Sequence, residues 1–138
     1  MLSTQVWNGS AETNEFHHPD RLGTKLVTNN ATNVNYEQST LPFGPNLPGE
    51  NVGSINTNQR FTSYDRSTAT GGLDYAVNRS YSSGQGSFTT VDPIGILSSS
   101  LSRPQSLNLY SYVKNNPTDF VDPSGLDDIP EDEGPPIV

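Results

Sequence analysis

The chain has no cysteine, which excludes a disulfide framework and any thiolate chemistry. Apolar residues are scarce too. They make up 30% of the 138 residues, below the usual share for a globular domain. Such a chain can bury only a thin core, so it is either partly disordered or a piece of a larger β-rich body whose neighbours supply the rest. The regular spacing of short apolar and aromatic clusters favours the second. Basic residues number 7 against 15 acidic ones. They form no patch or stripe, which leaves no footprint for nucleic acid. No apolar run approaches membrane-spanning length. Met1 is followed by neither a charged segment nor an apolar one, so no signal peptide is visible.

Glycine (12) and proline (11) are plentiful, and Ser, Thr and Asn fill much of the remainder. They punctuate short apolar and aromatic clusters, which is the pattern of short strands and turns. The expected fold is mainly β, built of short antiparallel hairpins. Residues 1–14 are polar and poorly patterned, with Val6 and Trp7 as one short strand against something absent. Residues 24–28 and 33–41 read as the two arms of a hairpin around Asn29-Asn30. Pro42-Phe43-Gly44-Pro45 breaks that ladder, because proline has no N–H to donate. Residues 46–59 are a connector, and residues 60–65 form the next strand. In residues 73–81, alternation predicts Leu73, Tyr75, Val77, Arg79 and Tyr81 on one face.

Towards the end, Leu107, Tyr110 and Val113 fall at helical spacing and predict one short helix near 106–114. Ser106 serves as its N-cap and Asn115-Asn116-Pro117 as its stop. Two similar turns flank this segment, Asp92-Pro93-Ile94-Gly95 and Asp122-Pro123-Ser124-Gly125. Asp at the first position, Pro at the second and Gly at the fourth is an ordinary turn sequence. Two carboxylates can also cut a peptide bond when they share one proton, because close like charges push one pKa up. Asp92 and Asp122 are the candidates, and the helical segment is the wedge that would bring them together. Residues 127–138 are acidic and proline-containing, and are expected to be a disordered tail.

The other candidates are bland. His17 and His18 are neighbours, so on a strand they face opposite ways and do not chelate one metal. No metal and no cofactor is expected. Asp65, Arg66, Asp74 and Arg79 read as ion pairs or turn contacts between strands. The tyrosines, at strand spacing, read as core or cross-strand pairs.

Several of these stretches together resemble a known family. Arg60-Phe61-Thr62-Ser63-Tyr64-Asp65-Arg66, Gly72-Leu73-Asp74-Tyr75-Ala76-Val77-Asn78-Arg79, Gly86-Ser87-Phe88-Thr89-Thr90-Val91-Asp92-Pro93 and residues 107–126 are similar to the RHS repeat-associated core of Rhs/YD-repeat proteins. Upstream, Phe16-His17-His18-Pro19-Asp20-Arg21-Leu22-Gly23-Thr24 and Leu41-Pro42-Phe43-Gly44 resemble the last YD-type repeat before that core.

The resemblance implies a division into residues 1–14, a terminal repeat and connector over 15–59, a core over 60–126, and the tail over 127–138. It implies hairpins from the end of a YD-repeat β-spiral shell that encloses a C-terminal toxin in bacterial competition or insecticidal complexes. By resemblance the core is a structural end-plug that releases the toxin by aspartyl self-cleavage after Leu126. Asp92 and Asp122 would be the dyad. The alternatives are an active autoprotease core and a polar carbohydrate- or protein-binding β module. The implied partners are the missing upstream shell and, as a further candidate, a secretion-system component. The implied location is secreted or cell-surface. The sequence departs from the family at Ser87, where an arginine is usual, and at Ser80, where an aromatic is usual. After the final motif only Asp127 to Val138 remain, and no toxin domain fits there.

Overall fold

A computed structural model describes residues 2–7, 12–20, 22–29, 33–50, 52–53 and 58–130. Among them the fold is mainly β, in three antiparallel sheets. The first is a meander of β1 (Leu2–Trp7), β2 (Glu12–Asp20), β3 (Gly23–Asn29), β4 (Asn33–Glu37) and the short β5 (Val52–Gly53), in sequence order. β3 and β4 are the hairpin expected around Asn29-Asn30. β1 is not left without a partner: it pairs with β2 over Leu2↔His17 to Trp7↔Glu12. The β2–β3 register shifts at His18/Pro19, where proline removes a ladder donor.

The second sheet is the meander β6 (Asp65–Ser67), β7 (Leu73–Ala76), β8 (Arg79–Ser82) and β9 (Ser87–Phe88). The single face expected over residues 73–81 is not formed. Ala76 pairs with Arg79, so Val77-Asn78 is a two-residue hairpin turn. The turn inverts the alternation. Asp74 and Ala76 point inward on β7, Arg79 and Tyr81 on β8, while Tyr75 and Val77 are exposed.

The inward residues of this sheet meet an aromatic cluster. The Tyr81 ring is its centre, with centroids 5.0 Å from Tyr112, 5.4 Å from Phe61 and 5.5 Å from Phe88. Aromatic rings at such distances and tilted angles gain energy beyond their buried area. The first sheet is tied in by main chain. The carbonyl of Leu22 accepts from the Thr62 amide at 2.8 Å, and the Tyr81 hydroxyl donates to the Phe43 carbonyl at 2.8 Å. Gly44 is required there: its φ is +91°, and a Cβ would stand 2.6 Å from the Phe61 ring.

The helix expected near 106–114 does not form. The one α-helical turn among the described residues is α1 (Gly95–Ser98). In its place stand a 3₁₀ turn, Pro104–Leu107, and a left-handed turn, Val113–Asn115. Leu107 and Tyr110 are half-exposed, whereas the adjacent Tyr112 and Val113 are both buried. The residues at helical spacing thus share no buried face, and the positive φ of Val113, Lys114 and Asn115 takes the backbone out of the right-handed helical region. The core side chains of this stretch are therefore Tyr112 and Val113. Strand pairing also continues past residue 126: β10 (Phe120–Val121) pairs with β11 (Ile129–Pro130). The expected disordered tail is thus ordered through Pro130, and residues 131–138 lie outside the described residues.

Candidate active site

The two turns form as their sequences dictate. The Asp92 Oδ1 accepts from the amides of Ile94 at 2.8 Å and Gly95 at 2.9 Å. The Asp122 Oδ1 accepts from the amides of Gly125 at 2.8 Å and Leu126 at 3.0 Å, with the Ser124 hydroxyl at 3.3 Å. One oxygen of each carboxylate closes its own turn, as expected of aspartate at such a position.

The other oxygens converge. Arg79 Nη2 lies 3.4 Å from the Asp92 Oδ2 and 3.5 Å from the Asp122 Oδ2. The same guanidinium donates through Nε to the Gly125 carbonyl and through Nη1 to the Leu109 carbonyl at 3.3 Å. Its central carbon sits 3.6 Å from the Phe88 ring centroid, a cation–π contact that holds the plane of the fork. Arg79 reaches this place because it follows the two-residue turn and shares the inward face of β8 with Tyr81.

Asp122 is the more deeply placed carboxylate. Its main-chain carbonyl accepts from the Tyr64 hydroxyl, and its side chain is almost wholly buried. Burial pushes its carboxyl above the usual carboxylate value, against the amides of Leu126 and Gly125, the Arg79 charge and the Ser124 hydroxyl, which pull it down. Asp92 is more open and lines a cavity of about 120 Å³. Arg79, Leu109, Lys114, Leu126 and Asp127 line the same cavity. Asp92, Leu126 and Asp127 therefore line one space.

Of the residues singled out in the sequence, Asp92, Asp122 and Leu126 are brought together. The sequence reads Arg79 as an ion pair or turn contact between strands. No local signal in the sequence pointed further, because the carbonyls it serves lie 30 and 46 positions away. The cation between the carboxylates comes from β8. Ser87 is engaged elsewhere, paired with Ser82 and bridged to Ser111. Arg66 and Asp74 form the expected ion pair, bidentate at 2.7 and 2.8 Å. Among the described residues no group of three or more His, Cys, Asp or Glu could hold a metal ion. No helix among them is long and apolar enough to cross a membrane.

No protein-family model matches the chain, and none of the curated proteins matches it. Solved structures do. One is the Photorhabdus luminescens Tc holotoxin pore carrying the mutation TccC3-D651A, with a TM-score of 0.65 and 22% identity over 90% of this chain. A second is TcdB2-TccC3-TEV, with a TM-score of 0.55 and 23% identity over 90% of this chain. The chain spans only 6% of the length of either. Its fold is thus that of a short segment of Tc toxin chains.

Proposed function

We propose that the chain is an end segment of a toxin-encapsulating shell protein, and that it cuts its own backbone between Leu126 and Asp127. The resemblance of its motifs to the RHS repeat-associated core supports the first part, together with the likeness of its fold to part of Tc toxin chains. The observation that carries the second part is the position of both carboxylates on one guanidinium, beside a cavity that the Leu126–Asp127 junction also lines.

The chemistry follows from the charges. Two carboxylates and one guanidinium leave one negative charge, and a single proton taken up by the pair neutralises the cluster. Asp122 is the better holder of that proton, since burial favours its neutral form. Asp92 faces the cavity and stays available as base. It removes a proton from a water molecule, whose oxygen attacks the Leu126 carbonyl carbon. The C–N bond then breaks as the Asp127 nitrogen takes a proton from the acid of the pair. The products are a carboxyl group on Leu126 and an amino group on Asp127. Asp122 contributes position too, because its Oδ1 holds the amide of Leu126 itself. Fixing the bond to be cut against the catalytic groups removes much of the entropic part of the barrier.

Intact mass of the purified chain over several days at neutral and mildly acidic pH is the test. Appearance of two pieces divided after Leu126 is the expected result, with Asp92→Asn and Asp122→Asn each abolishing it. A folded chain that keeps its full mass would remove the proteolytic part and leave a purely structural end-plug. A cut at Asp122–Pro123 would not count, since Asp-Pro bonds also hydrolyse readily in acid with no enzyme involved.

A further inference from the structure

Three consecutive residues near the cavity have a left-handed backbone: Val113, Lys114 and Asn115, with φ of +41°, +54° and +63°. None is glycine, and Val113 is β-branched. Left-handed backbone costs a non-glycine residue about 1–2 kcal/mol, so a run of three persists only where its surroundings enforce it. The Val113 side chain is locked in the aromatic core. The amides of Asn115 and Asn116 donate to the carbonyls of Tyr112 at 2.8 Å and Val113 at 3.0 Å. What the run displays outward is Lys114, 61% exposed, whose Nζ contacts the Asp128 Oδ2.

Asp128 stands two residues beyond the proposed cut. Directly after it, Ile129 and Pro130 pair with Val121 and Phe120 of β10. The segment that leaves on cleavage is thus gripped twice by the part that stays, once by charge and once by strand pairing. On the other side of the bond, Leu126 is held by Asp122. We infer that Lys114 and β10 form a holding subsite for the acidic segment after the cut, which positions the Leu126–Asp127 bond beforehand and retains the cleaved segment afterwards.

This rests on the proposed cleavage for its second half only. The cut creates an ammonium on Asp127 and a carboxylate on Leu126, and both residues line the cavity that holds Asp92 and Arg79. Lys114 is a positioning residue here, since it touches the leaving segment and not the reacting atoms. The ligand class is an acidic peptide in extended conformation with a carboxylate two residues from its start.

The experiment uses the full chain. In an uncut Asp92→Asn background, amide hydrogen exchange over residues 119–130 is compared among Lys114, Lys114→Glu and the charge swap Lys114→Glu/Asp128→Lys. The expected result is exchange at least about two-fold faster with Lys114→Glu, as befits an exposed pair, and recovery in the swap. In the cleavable chain, the same series should slow and then recover the rate of cutting. The two pieces should co-elute in low salt and separate more readily at about 1 M salt, where charge pairs are screened. Unchanged exchange with Lys114→Glu, or no recovery in the swap, overturns the subsite whether or not the chain cuts. Exchange that follows the charge pattern in a chain that never cuts overturns the proteolytic reading and supports the subsite.

Discussion

The Tyr64 hydroxyl donates a hydrogen bond to the main-chain carbonyl of Asp122, joining positions 58 residues apart in sequence. It is the contact through which the aromatic core sets the depth of the second Asp-Pro turn. Burial raises the Tyr64 hydroxyl far above its usual value, so it remains a donor at every working pH. Tyr64→Phe removes the donor, keeps the ring, and leaves a buried carbonyl unpaired. The expected cost is about 1–3 kcal/mol, read as a lower urea midpoint at unchanged slope. Any cleavage after Leu126 should slow with it, because the turn holding that residue loses its anchor.

Arg79 carries a different kind of risk. It is 4% exposed and lies against one carboxylate that is 1% exposed and another that is 16% exposed. Arg79→Met leaves the buried Asp122 and the partly buried Asp92 without their shared cation, and removing the partner of such a group costs about 3–5 kcal/mol. The loss should shrink as the pH is lowered and Asp122 takes up its proton. Thermal unfolding of the variant at neutral and acidic pH checks this: its deficit against the parent should narrow on acidification. Arg79→Lys should restore only part of the stability, because lysine has no planar fork to serve Gly125, Leu109 and both aspartates at once.

The pH dependence of the parent follows from Asp122. Its folded pKa is raised above the ordinary 3.8, chiefly by burial. A raised acid holds its proton more tightly in the folded state than in the unfolded one. Its contribution is therefore fully present below the unfolded value and is lost as the pH rises through the folded value. Asp122→Asn keeps an oxygen for the amides of Gly125 and Leu126 but does not titrate. The stability difference between parent and variant should shift against the parent as the pH climbs from about 3.8. Parallel denaturation curves across that range are the measurement, and a constant difference would rule Asp122 out as the titrating group.

Of these three residues, Asp122 alone marks where sequence reading succeeds. The hairpins around residues 29–30 and the Asp-Pro turns are visible because their signals are local: proline, glycine and asparagine act on their own backbone. The role of Arg79 is not local. It meets a carboxylate 43 positions away and a carbonyl 46 positions away, and only the closed fold brings them together. The expected helix over 106–114 failed for a related reason. Helical spacing of Leu107, Tyr110 and Val113 was present, but the core takes Tyr112 with Val113. Tertiary burial of that adjacent pair outweighs a weak local preference.

The turn that inverts the face of residues 73–81 is itself testable. Val77 has φ +56° and is 62% exposed, so its side chain gains little from packing. A β-branched residue is poorly suited to that backbone. Val77→Asn accepts the left-handed region more readily and should stabilise the chain by about 1 kcal/mol. A raised melting temperature is the readout. The hairpin tip should stay docked, since the amide and side chain of Asn78, which reach the Ser124 carbonyl at 3.2 and 3.0 Å, are untouched.

Gly125 lies where that tip and the second Asp-Pro turn meet. Its φ is +74°, and a Cβ would stand 2.6 Å from the Ala76 carbonyl oxygen and 3.3 Å from the Arg79 amide. Both atoms belong to the backbone of the β7–β8 hairpin and cannot swing aside. Gly71 offers the control: its φ is +76°, yet a Cβ there would meet nothing within 4 Å. Gly71→Ala therefore isolates the cost of the left-handed backbone, about 1–2 kcal/mol. Gly125→Ala adds a clash against main chain and should be clearly the worse variant in chemical denaturation. It should also be the one that displaces Leu126 from the Asp122 carboxylate, so that any self-cleavage fails with Gly125→Ala and persists with Gly71→Ala under conditions where both remain folded. Equal losses in the two variants would mean that the close approach of the turn to β7 and β8 does not set the position of the bond.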